Sequence, residues 1–231
     1  MPQQDLERLK KEYQRRADPA YYKNTYSFSN PAYVFMLQSQ ERALLSCLKE
    51  FGFQSLNQSK ILEIGCGRGG VMLGFLRYGA TASNLSGIDI LLDRVVLAKQ
   101  TLPESKISCA DGQFLPYESA QFDILLQFTA FSSILDPQIK RNMASEMLRV
   151  LKPDGVILWY DFWWNPTNPQ TAGIKPKEIK ILFSNCVFKL HKITLAPPIA
   201  RLIVPISWAL AVILESLKVF NSHYLAIITK Q

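Results

Sequence analysis

The stretch that most constrains this chain is residues 61–70, Ile-Leu-Glu-Ile-Gly-Cys-Gly-Arg-Gly-Gly. Ile61, Leu62 and Ile64 form a short apolar run rich in β-branching, which predicts a buried central strand. The run breaks into Gly65, Gly67, Gly69 and Gly70. Glycines suit a tight turn with φ > 0, and they let a ligand reach the backbone without meeting a side chain. A helical pattern resumes over 71–78, so the loop delivers its N–H groups at a helix N-terminus. That is the first βα turn of an open α/β sheet, and a cradle for an adenine-nucleotide type of ligand.

Gly65-x-Gly67-x-x-Gly70 also fits a dinucleotide fingerprint, and such a match alone is weak. Glu63, two residues before the first glycine, separates the readings. A carboxylate there would repel a pyrophosphate but could bind the cationic amino-acid end of S-adenosylmethionine, directly or through water. At this point the chain resembles the class I S-adenosylmethionine-dependent methyltransferases, whose first motif is E/D-x-G-x-G-x-G; Glu63-Ile-Gly65-Cys-Gly67-Arg-Gly69 matches it throughout. The resemblance runs from about residue 58 to 165, and more loosely to the end. It implies a Rossmann-like α/β fold: a seven-stranded, mostly parallel sheet with an antiparallel last strand and helices on both faces.

Composition bounds the rest. A chain of 231 residues with 48% apolar and 19% charged residues is globular rather than disordered. Cys47, Cys66, Cys109 and Cys186 are scattered, with no C-x-x-C pair, so they read as reduced thiols of a cytoplasmic protein and neither a disulfide frame nor a metal site is expected. Met1–Arg16 is charged and lacks the apolar centre of a signal peptide. The net charge of +7 is uneven: residues 1–60 contribute +3, residues 61–160 contribute −1 and residues 161–231 contribute +5. A basic tail of this kind is a solvated face, or it meets an acidic substrate or a membrane surface.

In chain order, residues 3–16 carry few apolar positions and predict a weakly anchored helix at most. Asp18-Pro19 opens a turn. Tyr21, Tyr22, Tyr26 and Phe28 form an aromatic cluster that either packs or closes over a bound molecule. A helix follows from Ala32 to near Gly52. Leu85–Ile90 predicts the second strand, with Asp89 lying 24 residues beyond Gly65. An acid about 20 residues past the glycines can accept both ribose hydroxyls, and the resemblance places its ribose carboxylate here; capping the next helix is the alternative role. Lys106–Cys109 is a third strand, followed by Asp111-Gly112, where the family receives the adenine. Gln121–Leu126 is a fourth strand with Gln127-Phe128-Thr129 at its tip. The resemblance thus implies a cofactor set of Glu63, Gly65, Cys66, Gly67, Gly69, Asp89, Ile90, Asp111, Gly112 and Gln127.

Asp136-Pro137 opens a helix whose apolar face is Ile139, Met143, Met147 and Leu151. Leu148–Gly155 resembles the family's motif before strand five, with Lys152–Gly155 as the turn and Val156–Tyr160 as the strand. Beyond it, Asp161 through Pro166 concentrates aromatics where ligands bind in open sheets, so this segment is an expected substrate wall. A helix over 175–185, a sixth strand over 186–195 and a terminal strand over 222–230 complete the sheet. An antiparallel last strand would bring His223 to the rim, whereas His191 lies within strand six. His223 and Asp161 are therefore the candidate bases for a hydroxyl acceptor.

The expected layout is a single domain: residues 1–57 as a helical lead-in, 58–195 as the cofactor core, 196–221 as a cap insertion and 222–231 as the last strand. Leu202–Leu214 is almost wholly apolar, but thirteen residues are too few to span a bilayer. The segment is expected to give the acceptor pocket a greasy wall, with its continuous helix starting near Pro205, or else to be plain core or a membrane contact. The expected activity is methyl transfer from S-adenosylmethionine, leaving S-adenosylhomocysteine, to the hydroxyl of a sugar or natural product. A lipid or quinone methyltransferase and a non-catalytic cofactor-binding module are the alternatives. The partner is expected to be a small molecule, amphiphilic or acidic, and no nucleic acid.

Overall fold

The computed structural model describes residues 1–165 and 168–231, with the side chains of residues 22–24 excepted; Pro166 and the Tyr22 side chain lie outside the described residues. One sheet contains β1 (Ile61–Ile64), β2 (Leu85–Asp89), β3 (Lys106–Cys109), β4 (Phe122–Phe128), β5 (Leu151–Phe162), β6 (Cys186–Leu195) and β7 (Asn221–Lys230). The order is β3-β2-β1-β4-β5-β7-β6. Pairs from β3 through β5 are parallel, and β7 runs antiparallel to both neighbours, β5 and β6. This is the expected topology. Strand order reverses between β1 and β4, and the carboxyl ends there open the crevice in which such sheets bind ligands.

The apolar runs become strands because both faces of the sheet are covered. Every residue of β1 and β2 is buried. On one face lie α3 (Pro31–Phe51), α4 (Gly70–Arg77) and α5 (Leu92–Thr101), joined to the strands through Leu44, Phe75 and Val95. On the other lie α6 (Pro137–Val150) and α7 (Pro176–Leu182), through Met143, Met147 and Ile179. The caps follow the local chemistry. Asn30 Oδ1 accepts the Ala32 and Tyr33 amides at the start of α3, and Gly52, at φ +99°, closes it. Asp136 Oδ1 accepts the Gln138 and Ile139 amides, and Pro137 takes the first position of α6.

Four expectations change. Residues 3–16 belong to α1 (Gln3–Ala17), which is firmly held. Its sparse apolar pattern hides a mostly polar anchor: Arg8 donates to the carbonyls of Gln170 and Ser133 at 2.8 and 2.7 Å, while Leu9 is buried. The turn after it is the start of α2 (Pro19–Tyr26), capped by Asp18. Lys152–Gly155 is no free turn but an irregularity within β5, across which pairing jumps from Phe122↔Leu151 to Ile124↔Val156. Finally, residues 196–221 form two short helices, α8 (Pro197–Ile203) and α9 (Trp208–Ser216), rather than one helix from Pro205. They pack on α3 through Phe35, Ala200, Val204 and Ala211. Among the described residues, no helix is long and apolar enough to cross a membrane.

Because α6 carries much of one apolar face, its cap is a sensitive test of this layout. Asp136→Ala should cost about 1 kcal/mol, lowering the melting temperature by about 2–4 °C. Calorimetry showing no change would mean that the cap does not support α6.

Candidate active site

A cavity of about 320 Å³ opens at the strand-order reversal, above the carboxyl ends of β1, β2 and β4. Its floor is the glycine loop. Gly65 and Gly67 hold φ of +74° and +56°. A Cβ on Gly65 would lie 2.6 Å from the Ala130 Cβ, and one on Gly67 would collide with the Arg94 guanidinium. Gly65 therefore requires glycine for conformation and for space, and Gly67 for its positive φ. The Gly65 and Cys66 amides donate to the Ile88 carbonyl at 2.9 and 2.8 Å. Asp89 Oδ2 accepts the Gly67 amide and Oδ1 the Leu91 amide, each at 2.9 Å. Each oxygen retains acceptor capacity toward the cavity, which Asp89 lines.

Five of the ten expected cofactor residues line this cavity: Gly65, Asp89, Ile90, Asp111 and Gly112. Asp111 accepts the Met1 ammonium at 2.6 Å and the Gln113 amide at 3.0 Å. Burial works against its charge, but these donors prevail and hold it below the usual carboxylate range. Gly67 and Gly69 shape the loop from behind. The remaining three sit elsewhere. Cys66 is buried against Gly87 on the apolar side, where burial pushes its thiol far up. Gln127 is fully enclosed, its Nε2 donating to Asp161 Oδ2 at 3.0 Å. Glu63 lies beneath the loop. Burial, then the nearby Asp89 charge, raise its pKa well above normal, against a backbone hydrogen bond from Met72. Its Oε2 is buried without a partner.

The two candidate bases part company: Asp161 lines neither of two cavities, whereas His223 lines the second. Asp161 does not reach the cavity: it is buried and accepts from Gln127, from Ser132 N at 3.1 Å and from Phe162 N at 2.9 Å. Burial raises its pKa to about 6 despite those bonds. It fastens the tip of β5 to the loop after β4. The aromatic segment after β5 likewise faces away from both cavities: Trp163 Nε1 donates to the Asn221 carbonyl at 3.0 Å, and Trp164 is exposed. His223 lines a second cavity, of about 430 Å³. Its ring stacks on Tyr160 at 4.8 Å and 8°, and Nδ1 lies 3.0 Å from Ser222 Oγ. Burial pushes its pKa down to about 3. A base so weak is poorly matched to proton removal near neutrality.

The second cavity shares Phe128 with the first and is otherwise walled by α3, α4, β5, β6, β7 and the start of α8, including Tyr33, Met36, Leu44, Tyr160, Thr194 and Pro197. Its polar groups include Gln40, Glu41 and Arg77; Glu41 accepts from Arg77 at 3.0 Å and from the Tyr78 hydroxyl at 2.7 Å. Two β-branched residues take positive φ beside these cavities: Thr129 (φ +59°) in the first and Thr194 (φ +63°) in the second. Such conformations cost about 1–3 kcal/mol each and concentrate at functional sites.

Tyr13, Arg16, Arg68 and Arg94 also line the first cavity. Residue spacing gave no sign of them, since they come from the N-terminal helix and from beside the motif. The Arg94 guanidinium lies 4.1 Å above the Tyr13 ring, joining α1 to α5 over the site. Of the N-terminal aromatic cluster, Tyr26 lines this cavity, whereas Phe28 is exposed. A separate group, Cys47, Glu50 and His191, brings its ligand atoms within 4.8 Å of one another. Lys189 is ion-paired to Glu50 there and already supplies a cation.

With this geometry in view, comparison with known proteins is informative. Residues 61–155 match the family described as "Methyltransferase domain". Over 106 residues the chain is 34% identical to a sterol 4-C-methyltransferase of Caenorhabditis elegans, covering 43% of this chain and 30% of that one. Over 121 residues it is 27% identical to the ubiquinone/menaquinone biosynthesis C-methyltransferase of Campylobacter jejuni, covering 51% and 50%. A solved structure from Pyrococcus horikoshii superposes with a TM-score of 0.67 at 17% identity, covering 95% of this chain and 99% of that one. The chain spans half or less of the length of these two curated relatives. Residues 61–155 are thus similar to a methyltransferase domain. The observed site fits S-adenosylmethionine: a Cβ at Gly65 would meet Ala130, and Glu63 Oε2 lies buried beneath the loop with no hydrogen-bond partner among the described residues.

Two outcomes test the site. Asp89→Ala should weaken S-adenosylhomocysteine binding by tenfold or more, the loss of about one charge-assisted hydrogen bond of 1.5–3 kcal/mol; unchanged affinity by calorimetry in a folded variant would remove Asp89 from the site. For His223, an ordinary pKa of 6.5 in the unfolded chain and about 3 in the fold mean stabilisation above pH 6.5 that is lost as the pH falls toward 3. His223→Phe keeps the stacking area and should flatten the pH dependence of unfolding free energy across that window. An equally steep acid limb in the variant would show that the ring is not held neutral.

Proposed function

We propose that this chain transfers the methyl group of S-adenosylmethionine to an apolar or amphiphilic small molecule bound between Phe128 and His223. The observation that carries this reading is the second cavity, apolar within and polar at Gln40, Glu41 and Arg77, in contact with the cofactor cavity through Phe128. Its size is ordinary for a small-molecule pocket, about 300–1,000 Å³. The two curated relatives above are named for C-methylation of a sterol and in ubiquinone/menaquinone biosynthesis, which supports an isoprenoid or quinone-like acceptor over a free sugar.

The proposed division of labour follows from the residues. Asp89 would hold the ribose, Asp111 and the Gly112 backbone the adenine, and the amides of the glycine loop the amino-acid end, with Glu63 acting beneath the loop. The cofactor's sulfonium supplies the electrophilic methyl group. What the chain contributes is alignment: the shared Phe128 sets the acceptor against the cofactor site, and the apolar walls exclude water. His223 would take no proton at neutral pH; stacked on Tyr160, it completes an aromatic wall. A hydroxyl acceptor that must be deprotonated is less suited to this cavity than a nucleophilic carbon or an already ionised oxygen.

An acceptor panel read by release of S-adenosylhomocysteine tests this. Isoprenoid phenols, quinols and sterols should turn over in preference to free sugars; turnover confined to sugars would overturn the reading. Two variants sharpen it. Leu37→Glu puts a charge into the half-exposed wall and should raise the acceptor KM by about tenfold or more, with cofactor affinity held within about twofold. His223→Phe should retain kcat within about tenfold, whereas loss of a true general base costs about 10²–10⁴. A drop of that larger size, with cofactor binding intact, would restore His223 as a base.

A further inference from the structure

The segment joining β6 to β7 was expected to roof the acceptor pocket, yet within it only Pro197 lines the second cavity. The rest turns its apolar side chains outward. Leu202, Ile206, Val212, Ile213, Leu217 and Val219 are all exposed, Ile206 by 75% and Val219 by 72%. Single exposed apolar residues are ordinary, but a concentration along one segment marks a surface that something covers. The inner side of the segment is fully used: Ala200, Val204 and Ala211 pack with Phe35, and Trp208 meets the Phe35 ring edge-on at 5.1 Å. No further burial within this chain is therefore open to the outward side.

Charge decides what covers it. Within 196–221 the charged residues are Arg201, Glu215 and Lys218. Glu215 is turned inward: it accepts from Ser39, and lies 3.4 Å from both Arg42 Nη2 and the Leu195 amide. Arg201 and Lys218 are exposed. Lys192, partly exposed, adds its amine beside the end of the segment, its Nζ 3.5 Å from the Val219 carbonyl and 4.7 Å from the Trp163 ring centre. The outward face thus combines apolar side chains with cations and presents no outward carboxylate of its own segment. Two copies meeting through it would oppose like charges. An anionic bilayer complements both features at once, taking the apolar side chains into the acyl boundary and the cations into the headgroups.

We infer that α8, α9 and the turn at Val219 form a docking surface for an anionic lipid bilayer. The chain would bind peripherally, since none of its described helices can cross a membrane. Pro197, at the start of α8, stands in the wall of the second cavity, so docking would set that cavity beside the lipid phase. The inference does not depend on the acceptor's identity.

Flotation with phospholipid vesicles tests it. Wild-type protein should float with vesicles containing about one-third phosphatidylglycerol and bind them at least about tenfold more tightly than pure phosphatidylcholine, with the preference falling as salt is raised. The variant Leu202→Ser/Ile206→Ser/Val219→Ser, changed at exposed positions, should lose at least about tenfold in vesicle binding while keeping S-adenosylhomocysteine affinity. Arg201→Gln/Lys218→Asn should erase the preference for anionic vesicles. Absence of flotation with either vesicle, or a triple variant that floats as well as wild type, would overturn the inference. So would light scattering that shows a dimer dispersed by the triple variant without any vesicle binding, because the face would then belong to a second copy. Loss of methyl transfer with flotation preserved would count against the proposed function and leave this docking surface standing.

Discussion

The site depends on three hydrogen bonds between the first two βα turns and a fourth within the second. The Ile88 carbonyl receives the Gly65 and Cys66 amides, and the Asp89 carboxylate receives those of Gly67 and Leu91. Together they fix a loop that has no side chains with which to hold itself. They also orient Asp89, whose second role, toward the cavity, is possible because a carboxylate has more acceptor sites than two amides use. Asp89 accepts the amide of Leu91 just ahead of α5, whose first turn has no side-chain cap, and lines the cavity as well.

Around that floor the fold builds two cavities that meet at Phe128. Backbone strain at Thr129 and Thr194 lies beside them, where neither residue's preference would put it, and both hold polar contacts: Thr129 N donates to the Tyr160 carbonyl, and the Thr194 and Tyr160 hydroxyls lie 3.0 Å apart. Tyr160 therefore links the tip of β4, the end of β6 and the His223 ring. Enclosing a histidine in this way suppresses its basicity. A residue whose type suggested proton chemistry becomes an aromatic wall through its surroundings alone.

The polar interior follows a similar logic. Gln127 and Asp161 pair at the tips of neighbouring strands, and Asp161 also gathers the Ser132 and Phe162 amides. Burying a carboxylate is costly, and four-fold use of its oxygens or near-neutrality offsets the cost; here three donors and a raised pKa do so together. Across the opening, α1 places Tyr13 and Arg16 against the cofactor cavity, held there by Arg8 and by the stacking of Arg94 on Tyr13.

Residue order alone determined the strand–glycine–helix turn at 61–78, the strand series through β5 and the capped helix at Asp136-Pro137; the adenine carboxylate and the family's placement of the ribose came from the resemblance. The first three are local or nearly so: apolar runs, glycines at fixed offsets and caps act within a few residues. Tertiary structure decided the rest, since it depends on which distant groups meet. Asp161 and Gln127 left the site because each satisfies the other. His223 reached the end of β7 as its strand order implied, but its burial against Tyr160, which lowers its basicity, came from the packing of β5, β6 and β7. α1 became part of the site through contacts more than a hundred residues apart in sequence. The apolar segment 202–214 turned most of its side chains outward because α3 offers one face to pack against and no more.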